Sequence, residues 1–295
     1  MSIIFKENYK CFDITKSLFN QNKVFGPDII RDRFDCLSII DRSRVLNWVD
    51  MSFLINMNWI KKIILNIHDF DINYLLSLQE SLESVSMHLD IDKNGDVFTE
   101  FPNLISLEAN TKNNIFLNNM PQLRNLNIAS VDLSKLNFEN LRNLARLQIG
   151  GSKNWRACNI HHLTRLKGLT IGFDNNIQDI SFISKMENIE CISFLYTSKI
   201  KIFPDISNLK KLKRIHIYAL NRLEDISQIR HSESIEELII VNSSIKDDIL
   251  RPIVDCPNLK RVAIALKNIS DNKKAHILFA DKIDQSILDT PFYIS

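Results

Sequence analysis

One apolar position recurs along this chain at a nearly constant interval. It falls at Ile63, Val85, Leu107, Leu126, Leu147, Leu169, Ile192, Ile215, Leu238 and Val262, with successive gaps of 19 to 24 residues. Two residues further on, the series Leu65, Met87, Ala109, Ile128, Ile149, Ile171, Phe194, Ile217, Ile240 and Ile264 is apolar throughout. In a chain that is 45% hydrophobic, ten consecutive matches at both positions are not a product of composition. Self-similarity at such a period marks a stacked repeat. No unit can bury its own apolar edge, but a pile of them can.

The period changes within each unit. Around the two phased positions apolar residues alternate in twos, which suits a short strand with one buried face. The stretch between strands runs in threes, as in Ile177, Ile180, Ile183, Met186 and Ile189, or Ile200, Phe203, Ile206, Leu209 and Leu212. A spacing of three fits tight 3₁₀ turns better than long α-helices. Within the repeats, short helices are expected from Asp247, where two acidic residues open the first turn, and over Asp71 to Leu82.

The stretch from Ile177 to Phe194 resembles the 22-residue repeat of bacterial internalin-type leucine-rich-repeat proteins, as does Asn221-Arg222-Leu223-Glu224-Asp225-Ile226-Ser227. The resemblance covers roughly residues 55 to 267. It implies an α/β leucine-rich-repeat solenoid: a curved, parallel sheet on the concave face, with 3₁₀, irregular or short helical returns on the convex face. Internalins are exported and carry wall-attachment regions. The family often places Asn three residues after the second strand apolar. Here that position holds His68, Asp90, Lys112, Val131, Ser152, Asp174, Thr197, Leu220, Ser243 and Lys267, so the ladder is worn. Asp174, Thr197 and Ser243 are the residues able to replace it locally.

Three segments follow: an N-terminal cap over 1–55, a solenoid of about ten repeats over 56–267, and a C-terminal cap over 268–295. Leu37-Ser38-Ile39 reads as one degenerate strand, Arg42 to Phe53 as a helix, and Ala275 to Ala280 as an edge strand or closing turn. Five widely spaced cysteines without a CxxC read as small buried hydrophobes, not as a disulfide framework or a zinc site. Cys191 is phased to point outward. Lys6, Glu7, Lys10 and Asp13 interrupt any signal-peptide core, and no uncharged apolar stretch approaches a membrane span. A cytoplasmic location is the resulting expectation.

The residues flanking each phased apolar position face out from the sheet. Small groups hold the middle strands, at Gly150, Gly168, Thr170 and Gly172, while Leu195, Tyr218, Ile239 and Val241 enlarge the later ones. Aromatic groups beside arginines are the usual anchors of protein interfaces. The expected partner surface is therefore Arg146, Gln148, Trp155, Tyr196, Arg214, His216, Tyr218, Glu237 and Ile239. A net charge of +2 and alternating clusters, Lys210, Lys211 and Lys213 against Glu233, Glu236 and Glu237, favour a protein over nucleic acid or a membrane. No nucleophile, phosphate-loop or zinc-protease motif occurs, and His161-His162 would diverge in an extended segment, so neither an enzyme nor a metal or other cofactor is expected. The functional expectation is a bacterial, non-enzymatic protein-binding scaffold, acting as an immunity protein against a toxin or as an adaptor. The alternative is a secreted or host-directed recognition module.

Overall fold

A computed structural model describes residues 3–6, 9–14, 34–40, 51–67, 70–91 and 94–288. The chain divides into two compact units, residues 1–131 and 132–295.

The first unit carries β1 (Ile3–Lys6), β2 (Tyr9–Ile14), β3 (Cys36–Ile40), β4 (Lys62–Asn66), β5 (Ser84–Asp90), β6 (Ser106–Asn110) and β7 (Asn125–Ala129). β1 pairs antiparallel with β2, and every later pairing in this unit is parallel and follows chain order. The second unit carries β8 (Arg146–Gly150), β9 (Gly168–Gly172), β10 (Cys191–Leu195), β11 (Arg214–Tyr218), β12 (Glu237–Val241) and β13 (Arg261–Ala265), again parallel and in order.

Each strand from β4 to β13 begins one residue before a phased apolar position. The register matches phased residue to phased residue, Leu147 to Leu169, Ile192 to Ile215 and Leu238 to Val262 among them. These side chains are fully buried, and each such burial is worth about 1.5–3 kcal/mol. The strand phase is thus set by apolar alternation, since a slip by one residue would turn the whole set to the surface.

The returns are 3₁₀ turns, such as Ile115–Asn119, Ser181–Lys185 and Ser227–His231. A D-x-S stretch prepares several of them. The carboxylates of Asp132, Asp179 and Asp225 accept from the backbone N–H two residues on, at 3.2, 2.8 and 2.8 Å. Asp205 does the same at 2.9 Å. Its return, from Leu195 to Arg214, forms no helix and pairs as an isolated parallel bridge, Ile202 with Asp225. In the first unit Gly95 is required by close approach, because a Cβ there would stand 2.4 Å from the Phe116 ring.

Several expectations are corrected. Ile72–Leu78 is 3₁₀ and not α-helical. Ala275 to Ala280 is no strand; it lies in and just beyond α2 (Ile269–Leu278), which Asn268 caps by accepting from the Asp271 N–H at 3.0 Å. The edge is instead closed at Ile283, bridged to Val262. The expected helix from Asp247 is present as α1 (Asp247–Leu250). The helix expected over Arg42 to Phe53 lies mostly outside the described residues, and Ser52–Asn56 is a 3₁₀ turn. Leu37-Ser38-Ile39 is part of β3.

Cys11 and Cys36 form a disulfide, against the expectation of buried free thiols. Their separation of 25 residues is about one repeat, so parallel pairing of β2 with β3 sets them side by side, Cα to Cα 4.3 Å. Wide spacing in sequence is adjacency in a stack.

Candidate functional site

The chain bends at the same point after successive strands, and the bend is left-handed. Ser130, Gly151, Phe173, Tyr196, Ala219 and Asn242 all have φ between 51° and 64°. Each falls two residues after the second phased apolar residue of its strand. In the second unit the N–H groups of Phe173, Tyr196, Ala219 and Asn242 still extend the ladder, donating to Leu195, Tyr218, Val241 and Ala265 carbonyls at 2.7–2.9 Å. The left-handed turn then drives the next side chain inward. Asp174, Thr197, Leu220 and Ser243 are all fully buried.

This geometry costs something where the residue is bulky. Only glycine adopts positive φ freely, and a bulky side chain there carries about 1–3 kcal/mol of strain. Phe173 and Tyr196 nevertheless occupy it, and they are 66% and 42% exposed. Their rings stack, with centroids 4.9 Å apart and an interplanar angle of 21°. Tyr196 meets Tyr218 at 4.9 Å, and Tyr218 meets His216 edge-on at 6.4 Å. A hydrogen bond to Tyr218, aided by partial burial, raises the Tyr196 hydroxyl above its ordinary pKa. Burial, and then the charge of Arg214, hold the His216 imidazole down at about 4, so it is neutral at physiological pH. The result is an aromatic strip along the ends of β9, β10 and β11. Beside it Gly172 leaves the floor low, although a Cβ there would meet only ordinary contacts with Leu195.

Of the nine expected surface residues, Tyr196, Tyr218 and His216 come together in this strip. Arg146 and Gln148 stand half-buried on β8, apart from it in register. The other four are placed differently. Trp155 is 8% exposed; its indole N–H donates to Asp174 Oδ2 at 3.0 Å and its ring stacks over Phe182 at 6.3 Å. It is packing and not an anchor. Arg214 and Glu237 are buried against each other, and Glu237 also pairs with Arg261, which reaches Asp284 at 3.7 Å. Their charge is spent within the sheet. Ile239 is covered by the chain's own end: Gln285–Leu288 crosses the strand face, and Ile287, fully buried, packs on Ile239 and Ala263. Cys191, phased outward, is buried too.

Phe173 was missed because it lies one residue beyond the end of its strand at Gly172 and no arginine stands beside it in sequence. The signal for it was its place two residues beyond Ile171, where Tyr196 also sits relative to Phe194. A second polar ladder was missed as well. Four residues before the first phased position, Asn188 donates to the Thr164 carbonyl at 2.8 Å and Ser234 to that of Leu209 at 2.7 Å. Asn103 and Gln122 do the same in the first unit, to Glu80 at 2.9 Å and Phe101 at 3.1 Å. A polar residue directly before an aliphatic one carries it in sequence: Asn103-Leu104, Gln122-Leu123, Asn188-Ile189 and Ser234-Ile235.

The expected inner ladder is worn in the way its residues suggest. Asp174 is fully engaged: Oδ2 accepts from Ser152 N at 2.7 Å as well as from Trp155, and Oδ1 from Asn176 N and Ile177 N at 2.8 and 3.2 Å. Ser243 donates to the Val241 carbonyl at 3.2 Å. The Thr197 hydroxyl is buried without a hydrogen-bond partner.

The basic clusters are paired across turns. Lys210 meets Glu233 at 3.2 Å, Lys213 and Lys260 meet Glu236 at 3.5 and 3.1 Å, and Lys211 donates to Asn188 at 2.7 Å. His161 and His162 do not diverge; a 3₁₀ turn brings their ring centroids to 4.4 Å. Among the described residues no three His, Cys, Asp or Glu side chains cluster as a metal site, and no helix is long and apolar enough to cross a membrane.

One strand and one tight return per turn, stacked in register around inward-facing aliphatic residues, define a leucine-rich-repeat solenoid. No protein-family model matches the chain, and no curated protein sequence matches it. Among solved structures it is similar to an internalin (inlF) of Listeria monocytogenes, at 17% identity over 84% of this chain and 78% of that one, with a TM-score of 0.53. It is also similar to the functional domain of InlJ from Listeria monocytogenes, at 17% identity over 77% of this chain and 54% of that one, TM-score 0.47. A leucine-rich-repeat protein of Leptospira interrogans aligns at 11% identity over 84% and 83% of the two chains, TM-score 0.43. At these identities the likeness is one of fold.

The cytoplasmic expectation is withdrawn. The solved structures that share its fold include an internalin of Listeria monocytogenes, of the exported family named above. The Cys11–Cys36 bond also belongs to the kind that persists in oxidising compartments. The charged N-terminal residues are no argument against this.

Proposed function

We propose that this chain is a non-enzymatic binding module of internalin type that acts outside the cytoplasm and holds a protein partner on the aromatic strip of Phe173, Tyr196 and Tyr218. The observation that carries the reading is the exposure of stacked aromatic rings on left-handed backbone. Nothing in folding requires a phenylalanine or tyrosine there, because glycine, alanine, serine and asparagine fill the equivalent turns. Strain kept at an exposed position points to use. Rigid, half-exposed aromatic groups supply large contact area at low entropic cost, which is what interface anchors do.

Arg146 and Gln148 form the polar side of this surface on the reading, with His216 beside the rings as a neutral hydrogen-bonding group. The C-terminal segment over Ile239 bounds it. Residues 1–55 and 268–295 serve as the caps of the stack. A toxin, one partner expected from sequence, finds no specific support in the strip; the surface suits any folded protein presenting an apolar ridge.

The test is comparative capture. Wild type and a Phe173→Ala/Tyr196→Ala/Tyr218→Ala variant would be exposed to surface and extracellular fractions of the source organism and of its environment, and bound proteins quantified. Loss of one specific partner at least about tenfold is expected, roughly 1.4 kcal/mol or more. Retention of every partner at wild-type affinity would refute the strip. Cell fractionation checks the location, and non-reducing mass spectrometry checks the Cys11–Cys36 link on the same material.

A further inference from the structure

Among the described returns, that between β10 and β11 is the one that forms no helix, and a cleft of about 590 Å³ opens beside it. Its walls come from three consecutive turns, Gln178 to Ser181, Lys199 to Pro204, and Arg222. The extended bridge of Ile202 to Asp225 flattens the middle turn where its neighbours rise into 3₁₀ helix. Ile202 is consequently 62% exposed, an aliphatic group in a notch rimmed by cations.

The charge in this notch is unbalanced. Lys201 is occupied by Glu224 at 2.8 Å. Among the described residues neither Lys199 nor Arg222 has an ionic partner, whereas Lys167, Lys210, Lys213 and Lys260 are each paired with a glutamate one turn away. The one acid in the lining, Asp179, uses an oxygen to hold the Ser181 N–H. The cleft therefore offers an apolar wall, Ile202 and Pro204, between two free cations.

It also lies close to the aromatic strip. Lys199 follows Tyr196 by three residues, and Arg222 follows Tyr218 by four. Ser198 donates to Asn175 at 2.7 Å, tying the turn that carries Lys199 to the turn after Phe173.

We infer that this cleft is a second binding subsite, which takes an acidic peptide segment carrying aliphatic side chains. It rests on the proposed binding role in one respect: the segment belongs to the partner held on the strip, running over the rim of the sheet into the notch. Carboxylates meet Lys199 and Arg222, and an aliphatic side chain covers Ile202. Two separated cations flanking an apolar wall match a peptide that alternates acidic and aliphatic residues.

The probe is a short, end-blocked, fluorescein-labelled peptide of alternating leucine and glutamate, titrated into the full chain at low salt and followed by anisotropy. Saturable binding is expected, weakened about tenfold by Lys199→Glu/Arg222→Glu and falling as salt rises. Both positions are exposed, so folding is preserved, and circular dichroism checks it. The same peptide with lysine in place of glutamate should not bind. Phe173→Ala/Tyr196→Ala should bind the peptide as wild type does, which separates failure of this subsite from failure of the strip. Equal binding by wild type and the charge-reversed variant overturns the proposal. So does absence of binding to wild type, or equal binding of the lysine peptide.

Discussion

Removing the Asp174 carboxylate should cost more than any other single change on the inner ladder. Its two oxygens satisfy four N–H groups, from Ser152, Trp155, Asn176 and Ile177, and the residue is fully buried. Asp174→Ala strands those donors. Asn176 sits at the surface and can turn to water, which leaves three buried donors at about 1–3 kcal/mol each. With partial relaxation the expected loss is about 3–6 kcal/mol. Asp174→Asn keeps the shape but swaps one acceptor for an NH₂ group. Whichever way the amide turns, two donors then face a donor, so about 2–3 kcal/mol should be lost. Ser152→Ala is the control: its contribution to Asp174 is a backbone N–H that survives substitution, and under about 1 kcal/mol should be lost. Urea denaturation by far-UV circular dichroism and tryptophan fluorescence measures all three, and agreement of the probes guards against stepwise unfolding of the stack. An Asp174→Ala loss below about 1 kcal/mol, or an Asp174→Asn variant as stable as wild type, would show that the carboxylate does not organise this turn.

Three further outcomes follow from the same contacts. Glu237→Ala removes the buried carboxylate that Arg214 and Arg261 share, and should cost about 3–5 kcal/mol, while Arg261→Ala, removing a half-exposed partner, should cost under about 1 kcal/mol in the same denaturation assay. Because the folded His216 pKa is lowered from 6.5 to about 4, its contribution to stability is full above about 6.5 and is lost as pH falls from there towards 4; His216→Phe should flatten that part of the stability-pH curve by about 1–3 kcal/mol. The Thr197 hydroxyl is buried and unpartnered, so Thr197→Val should be neutral or raise stability by up to about 1 kcal/mol, and a drop in melting temperature of several degrees would show that a partner exists.

Much of the fold was legible because it depends on side-chain polarity at fixed spacing. The strand phase of β4 to β13 and the threefold spacing of the 3₁₀ returns are both consequences of which residues are apolar, and both are local patterns summed over many turns. The site was less legible. Tyr218 and His216 were found by phase, and Tyr196 as an aromatic group just after its strand. Phe173 was not, since no glycine marks the left-handed turn that exposes it. Arg214 and Ile239 point outward as phase requires, yet outward did not mean exposed: Glu237 from the next strand covers the first, and Ile287 from beyond the repeats covers the second. Cys11 and Cys36 looked distant because spacing was judged along the chain and not across the stack.

By itself, the sequence determined that this protein is a stack of strand-and-return units, where each strand begins, and which side chains fill the core. These follow from the hydrophobic effect acting on a repeating pattern, and need no knowledge of which turn touches which. The tertiary structure alone decided the disulfide, the burial of Arg214, Trp155 and Ile239, the exposed aromatic strip, and the cleft beside Ile202. Each depends on one particular neighbour brought up from a different turn, and a periodic pattern, being the same in every repeat, cannot specify what differs between them.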